Sequence, residues 1–260
     1  MKKICSLILM VLLLVGGLAG CNQRSFAEGD GSDKDDSDIQ VFEADVIENE
    51  NGLLISPDQE SVEFSSSDKI SVGLIDAKIF DKEGNLVDKD VLISGDRIKV
   101  YYNGIILESY PAQISAQKIE VIGHNHIVDG MFSLIDDVYQ EDSALNHDIS
   151  MIAFNTAEWT ALTKAEIYTI LAMAHNQYDL EIVQGTFDEL AEQGLIDKEK
   201  LYFENGILIE LNDLVIYEDR ETINSSIRKW RSGKGAIGWK GEAKLDGDQW
   251  KITRSNMWIS

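Results

Sequence analysis

Gly95-Asp96-Arg97-Ile98-Lys99-Val100-Tyr101-Tyr102-Asn103-Gly104-Ile105-Ile106-Leu107 sets the architecture of the first half of this chain. Ile98, Val100 and Tyr102 alternate with Arg97, Lys99 and Tyr101, so they share one face of a strand that Gly95-Asp96 opens. Asn103-Gly104 is the strongest short hairpin signal in the sequence and predicts a turn into a second strand over Ile105 to Leu107.

The same alternation continues on both sides. Phe42, Ala44 and Val46 alternate with Glu43 and Asp45, and Asn51-Gly52 turns the chain into Leu53 to Ile55, ending at Pro57. Ile70, Val72 and Leu74 alternate again. Asp81 to Asn85 is a polar turn between Ile79-Phe80 and Leu86-Val87, and Ile119 and Val121 close the series. The stretch from Pro57 to Asp68, rich in Ser and Glu, reads as a loop, and no sustained helical period occurs in this half. Short strands with long, uneven connections predict a small barrel, which removes exposed sheet edges by closing on itself.

Val91 to Gly104, followed by Glu108-Ser109-Tyr110-Pro111-Ala112-Gln113-Ile114, resembles the DUF3221 family of Gram-positive secreted proteins and lipoproteins. The resemblance covers residues 40–122 and implies an OB-like barrel. The family has no established function, so it implies no activity.

The second half, residues 123–260, alternates helix and strand before ending in strands. Met131, Leu134, Ile135 and Val138 form one face of a helix over Gly130 to Tyr139, and Met151 to Phe154 is a short buried strand. Thr163-Lys164-Ala165-Glu166 and Thr186-Phe187-Asp188-Glu189 are capping boxes. The first starts a helix with Ile167, Ile170, Leu171 and Ala174 on one face. The second starts a helix that Gly194 ends as a left-handed cap, and Leu180 to Val183 is the strand between them. Beyond Leu201 the strands are Ile207 to Leu211, Leu214 to Tyr217, Ser226 to Trp230, Ala236 to Lys240 and Trp250 to Ile259, with a tight turn at Asp246-Gly247. The expectation is α+β: an N-terminal OB-like β-barrel and C-terminal helices packed on an antiparallel sheet. The closing Asp246-Gly247-Asp248-Gln249-Trp250-Lys251-Ile252 resembles the final hairpin of NTF2-like domains. Gly185-Thr186-Phe187-Asp188-Glu189-Leu190 and Lys229-Trp230-Arg231-Ser232-Gly233-Lys234-Gly235-Ala236-Ile237-Gly238 resemble a domain of unknown activity that recurs in Gram-positive lipoproteins.

The N-terminus supplies an address. Lys2 and Lys3 precede an apolar run from Leu7 to Val15, too short for the about 20 residues a bilayer span needs. Leu18-Ala19-Gly20-Cys21 follows and resembles the lipobox of bacterial lipoproteins. The resemblance implies that residues 1–20 are cleaved, that Cys21 becomes the first residue and carries the lipid, and that the protein sits on the extracytoplasmic face of the cell membrane. Each buried CH₂ of the acyl chains then contributes about 0.8 kcal/mol of anchoring. Cys5 leaves with the signal and Cys21 is lipidated, so no thiol remains for a disulfide or a Cys-ligated metal. Residues 21–39 are an acidic tether, self-repelling and too polar to fold. Its Asp spacing lacks the Gly and Glu that a calcium loop needs in register.

The net charge of −23, or −25 without the signal's two lysines, disfavours nucleic acid and leaves a basic protein as a compatible partner. Within the second half, Arg231, Lys234, Trp230 and Trp239 form the candidate ligand-binding set: glycines around Lys234 would let backbone N–H groups approach an anion, beside aromatic faces. The alternative is a hairpin whose glycines allow positive φ, with the tryptophans in the core. A phosphate loop would need Ser or Thr where Gly235 stands, and a helix after it. Ser226-Ile227-Arg228-Lys229 has the Ser-x-x-Lys spacing without its companion motifs. Asp136 and Asp137, adjacent on a helix, face different directions and form no dyad. His124, His126 and Asp129 at the junction of the two halves are candidate metal ligands, since two His at i, i+2 can face one side of a strand. But a third ligand is not identifiable where zinc needs three or four, polar linker histidines are common, and no metal site is expected. No cofactor is expected. The sequence therefore points to a non-catalytic envelope binding module for a protein, peptide or glycan. The alternatives are a cell-wall or peptide hydrolase using an unrecognised carboxylate or His–metal site, and an immunity-type lipoprotein that binds a cationic toxin.

Overall fold

A computed structural model describes residues 39–260. The signal, Cys21 and the tether up to residue 38 lie outside the described residues.

The first half folds as the alternation predicts. Strands β1 (Gln40–Glu48), β2 (Leu53–Pro57), β3 (Ile70–Gly73), β4 (Lys78–Phe80), β5 (Leu86–Val87), β6 (Asp96–Tyr102) and β7 (Ala112–His124) follow in order. They form one sheet ordered β3-β2-β1-β6-β7-β4-β5, and β3 also pairs with β7. That last pairing is parallel and closes five strands, β1-β2-β3-β7-β6, into an OB-like barrel; β4 and β5 lie along the outer half of β7. Ala44, Val46, Ile55, Ile70, Ile98, Val100 and Ile119 are fully buried inside it.

Two expectations for this half are corrected. The strand over Ile105 to Leu107 does not form, and only Leu107 makes a single bridge, to Gln113. The reason is barrel closure. The first residues of β7, from Ala112 to Ser115, are used by β3, so β6 meets β7 only from Tyr102 opposite Ala116 onward. The chain after Asn103-Gly104 must therefore cross the barrel end rather than fold back at once. The second correction is helix α1 (Val62–Ser66), inside the stretch read as loop. Ser61 caps it by accepting from the Phe64 N–H, and buried Glu63 accepts from the Tyr102 hydroxyl at 2.9 Å. Five residues are too few to show a helical period.

The second half contains α2 (His126–Gln140), β8 (Met151–Asn155), α3 (Lys164–Tyr178), β9 (Glu181–Gln184), α4 (Phe187–Glu192), β10 (Gly206–Ile216), β11 (Thr222–Ser232), β12 (Gly235–Asp246) and β13 (Gln249–Ile259). Both capping boxes form, and Gly194 and Gly247 take positive φ. The sheet runs β13-β12-β11-β10-β8-β9. It is mixed rather than antiparallel: β8 is parallel to both β10 and β9. Helix α3 carries the chain from the end of β8 back to the start of β9, and such a crossover makes the two strands parallel. The two strands expected from Ile207 to Tyr217 are one, β10, bulged where Asp213 takes φ 52. One face of the sheet is covered by α2 and α3 through Met131, Leu134, Ile135, Ile170, Ile209 and Trp239. Its other face is covered at one end by Leu190, Ile196 and Phe203, against Ala153, Leu208 and Trp230.

Residues 39–260 fall in one compact unit. The barrel and the second sheet meet through α3. Its Thr169 is buried with the hydroxyl 3.4 Å from the Val46 carbonyl, and the Tyr168 hydroxyl donates to Asp68 at 2.7 Å.

Candidate functional site

A cluster of ionisable side chains lies where β7 runs into α2. His124 ends the strand, Asn125 caps the helix by accepting from the Ile127 N–H, and Asp129 sits in the first turn, where a carboxylate is favoured. Gly95 lies under the His124 ring at φ +89. A Cβ there would stand 2.7 Å from Val128 Cγ2 and 3.0 Å from His124 Cε1, so only glycine lets the ring seat. The Gly95 N–H donates to Val46 O and its carbonyl accepts from Asn125 N–H, each at 2.8 Å, which ties β1, the start of β6 and the start of α2 together.

Both His124 nitrogens face carboxylates: Nδ1 is 2.9 Å from Asp96 Oδ1 and Nε2 is 2.8 Å from Asp129 Oδ2. Ionised carboxylates only accept, so both nitrogens carry hydrogen and the ring is an imidazolium. The bonds to Asp129 first and Asp96 second push His124 up to about 9, against the opposing effect of burial. Asp96 is itself buried and accepts from the Ile93 N–H at 3.0 Å. His126 is half exposed, with Nδ1 3.6 Å from Asp129 Oδ2. The donor atoms of His124, His126 and Asp129 lie within 4.8 Å of one another.

Beside this cluster is a cleft of about 580 Å³. Arg97 on β6 forms one wall. It donates to both oxygens of Asp58, at 2.6 and 3.1 Å, and lies 3.3 Å from Glu43 and from Asp45. Burial pushes Asp45 up from the ordinary carboxylate range, with Arg97 opposing. Glu166 of α3 forms the other wall. It is buried and accepts from Thr163 N–H (2.7 Å), Asn125 Nδ2 (3.0 Å) and Arg220 Nη2 (2.6 Å). A second cleft, of about 590 Å³, lies on the side of Asp129, Phe132 and Met173, facing Asn49 and Ile93 of the barrel.

The structure does not bring the Arg231 set into one ligand face. The Arg231 guanidinium donates to the carbonyls of Leu145, His147 and Glu204 and so holds two connections against β11. Trp230 and Trp239 are buried on opposite faces of the sheet, Trp230 edge-on to Phe187 and Trp239 beneath the Arg254 guanidinium. Lys234 is exposed in the β11–β12 turn, where neither Gly233 nor Gly235 takes positive φ. Cys21 lies outside the described residues. By contrast, His124, His126 and Asp129 do converge. Sequence reasoning missed Asp96, Arg97, Glu166 and Arg220 as their neighbours. Glu166 was visible as a capping residue, but its Arg220 partner is on a distant turn. Asp136 and Asp137 face apart as expected, accepting from Tyr178 and Arg254 respectively.

Residues 32–123 match the family DUF3221, described as a protein of unknown function. No curated protein and no solved structure matches the chain.

Proposed function

We propose that this chain is a lipid-anchored extracytoplasmic lipoprotein of the cell envelope, and that its body is a non-catalytic binding module. One observation carries the second part: the charged groups at the junction are already engaged by one another. His124 is held as an imidazolium by two carboxylates, Arg97 is surrounded by Asp58, Glu43 and Asp45, and Glu166 accepts from three donors. A general base needs a free lone pair within reach of the proton it takes. These groups offer a fixed charged surface instead, which suits recognition. The acidic balance favours a cationic protein or peptide as the partner, a basic exported toxin included.

The address rests on Lys2-Lys3, the Leu7–Val15 run and Leu18-Ala19-Gly20-Cys21, and is tested by fractionation. Wild type is expected in the membrane fraction. Cys21→Ala, cut at an alternative site or carrying a replacement secretory signal, is expected in the soluble fraction. A processed Cys21→Ala protein that still sediments with membranes overturns the lipid anchor.

A further inference from the structure

We propose that His124, His126 and Asp129 form a binding site for a divalent transition-metal ion of the zinc class, with Asp96 as the residue that positions His124. This inference is independent of the lipid anchor, but a bound ion at His124 would supply the open coordination position that the His–metal hydrolase alternative needs and so would count against the non-catalytic reading above.

Three features of the junction support it. The first is the donor set. Two imidazoles and a carboxylate are the ligands such ions take, and three protein ligands leave a fourth position open to water or to a partner's oxygen or nitrogen. The second is spacing. Tetrahedral zinc with bonds of about 2.0–2.1 Å places its ligand atoms about 3.3 Å apart. The observed separations straddle that value: 2.8 Å from His124 Nε2 to Asp129, 3.6 Å from His126 Nδ1 to Asp129, and all three atoms within 4.8 Å. Asp129 must draw back slightly and His126 turn inward. Both are at least one-third exposed and free to do so, whereas His124 is fixed.

The third is the support behind His124. A metal-bound histidine characteristically donates its other ring N–H to a carboxylate, which fixes the tautomer and the ring plane. Asp96 does this from Nδ1, is buried, and is held in turn by the Ile93 N–H, while Gly95 supplies the flat seat under the ring. The ring is thus oriented with Nε2 toward Asp129 and His126. In the metal-free arrangement Nε2 carries a hydrogen donated to Asp129. On binding, the ion takes that hydrogen's place and the proton leaves to solvent, so charge and atoms balance. The two carboxylates, Asp96 and Asp129, favour a cation there. The Arg97 guanidinium nearby is already balanced by Asp58, Asp45 and Glu43.

The test is equilibrium dialysis of the full chain in detergent against Zn²⁺, with Co²⁺ as a spectroscopic probe. Wild type is expected to bind one ion per chain, to show a higher thermal midpoint with Zn²⁺ and, with Co²⁺, to give the strong visible absorption of a tetrahedral site. His126→Ala, which removes an exposed ligand without touching the core, is expected to lose at least 10-fold in affinity and the thermal shift. Asp96→Asn keeps all three ligands and is expected to weaken binding by about 10–100-fold. His147→Ala, at an exposed histidine away from the junction, is expected to bind as wild type does. Absence of stoichiometric binding in wild type overturns the proposal. So does stoichiometric binding that His126→Ala and Asp129→Asn leave unchanged, since the ion would then sit elsewhere. Full affinity in Asp96→Asn overturns the positioning role alone.

Discussion

Lys229 shows most clearly what one side chain does in this fold. It lies on β11 and its side chain is buried beneath the end of α2. Its ammonium donates to the carbonyls of Tyr139 (2.9 Å), Asp142 (3.2 Å) and Glu141, and to Asn146 Oδ1 (3.2 Å). The last turn of a helix leaves carbonyls without intrahelical donors, and a cation there also meets the negative end of the helix dipole. Lys229→Met keeps the side-chain length but removes the donor from three carbonyls. It is expected to lower stability by about 2–3 kcal/mol, measured by urea unfolding at pH 7. Burial pushes Lys229 down to about 8 from its ordinary 10.5. Below pH 8 both folded and unfolded chains hold this proton, and the contribution is flat. Between 8 and 10.5 the unfolded chain binds more protons than the native one, so stability rises with pH over that window. The deficit of Lys229→Met should therefore widen from pH 7.5 to 9.5. A constant gap would mean that the folded chain keeps this proton as tightly as the unfolded one does, and a narrowing gap that it keeps it more tightly. Nothing in the sequence signals this role. Lysine between Arg228 and Trp230 in an alternating strand has a solvent-facing reading by default, and its acceptors lie some ninety positions upstream.

At the scale of elements, legibility follows how local each determinant is. Helix α2 was legible because its buried residues recur at helical spacing, and the capping boxes of α3 and α4 were legible because they close within four residues. Short alternating strands predict barrel closure, but its effect on Ile105 to Leu107 is not legible in them, because it depends on β3 taking the start of β7. Likewise the parallel β8–β9 pair needs the path of α3, and the His124 cluster needs Asp96, which only the β6–β7 register sets opposite His124. The spacing of Ile167, Ile170, Leu171 and Ala174 gives helix α3 one apolar face, whereas it also buries Ala165, Glu166 and Thr169, the last with its hydroxyl 3.4 Å from the Val46 carbonyl. Docking of α2 depends on an absent side chain. A Cβ on Gly130 would stand 2.7 Å from Trp250 Cε2 and 2.8 Å from Ile223 Cδ1, so the helix lies closer to β11 and β13 than any larger residue permits. Gly130→Ala raises helix propensity and would stabilise an exposed helix by up to about 1 kcal/mol. Here the overlap outweighs that gain, and a net loss of about 1–3 kcal/mol is expected, read as a lower denaturant midpoint with an unchanged slope. A stabilised variant would mean that α2 can slide away from Trp250 at no cost.

For the whole molecule, the question is whether barrel and second sheet unfold together. Each has its own buried cluster, which alone would allow separate transitions. Helix α3 argues the other way. Its Ile170, Leu171 and Ala174 belong to the core of the second sheet, while Thr169 is buried with its hydroxyl near the Val46 carbonyl. The bond from Tyr168 to Asp68, Lys69 over the Tyr168 ring, and Asn125 bonded to Glu166 lie along the same boundary. Removing the second sheet's core would release α3 and uncover β1, so each half costs the other part of its burial. One transition is therefore expected. The chain carries its own probe, because all five tryptophans, from Trp159 to Trp258, lie in the second half. Tryptophan fluorescence reports that half alone, whereas far-UV circular dichroism reports both. Coincident urea midpoints are expected for wild type. Thr169→Arg forces a long charged side chain into the boundary and should separate the two signals, the dichroism losing part of its amplitude before the fluorescence changes. Separate midpoints already in wild type would show that α3 binds the barrel too weakly to couple them. The junction at His124 would then be a hinge between independently stable parts rather than a fixed corner.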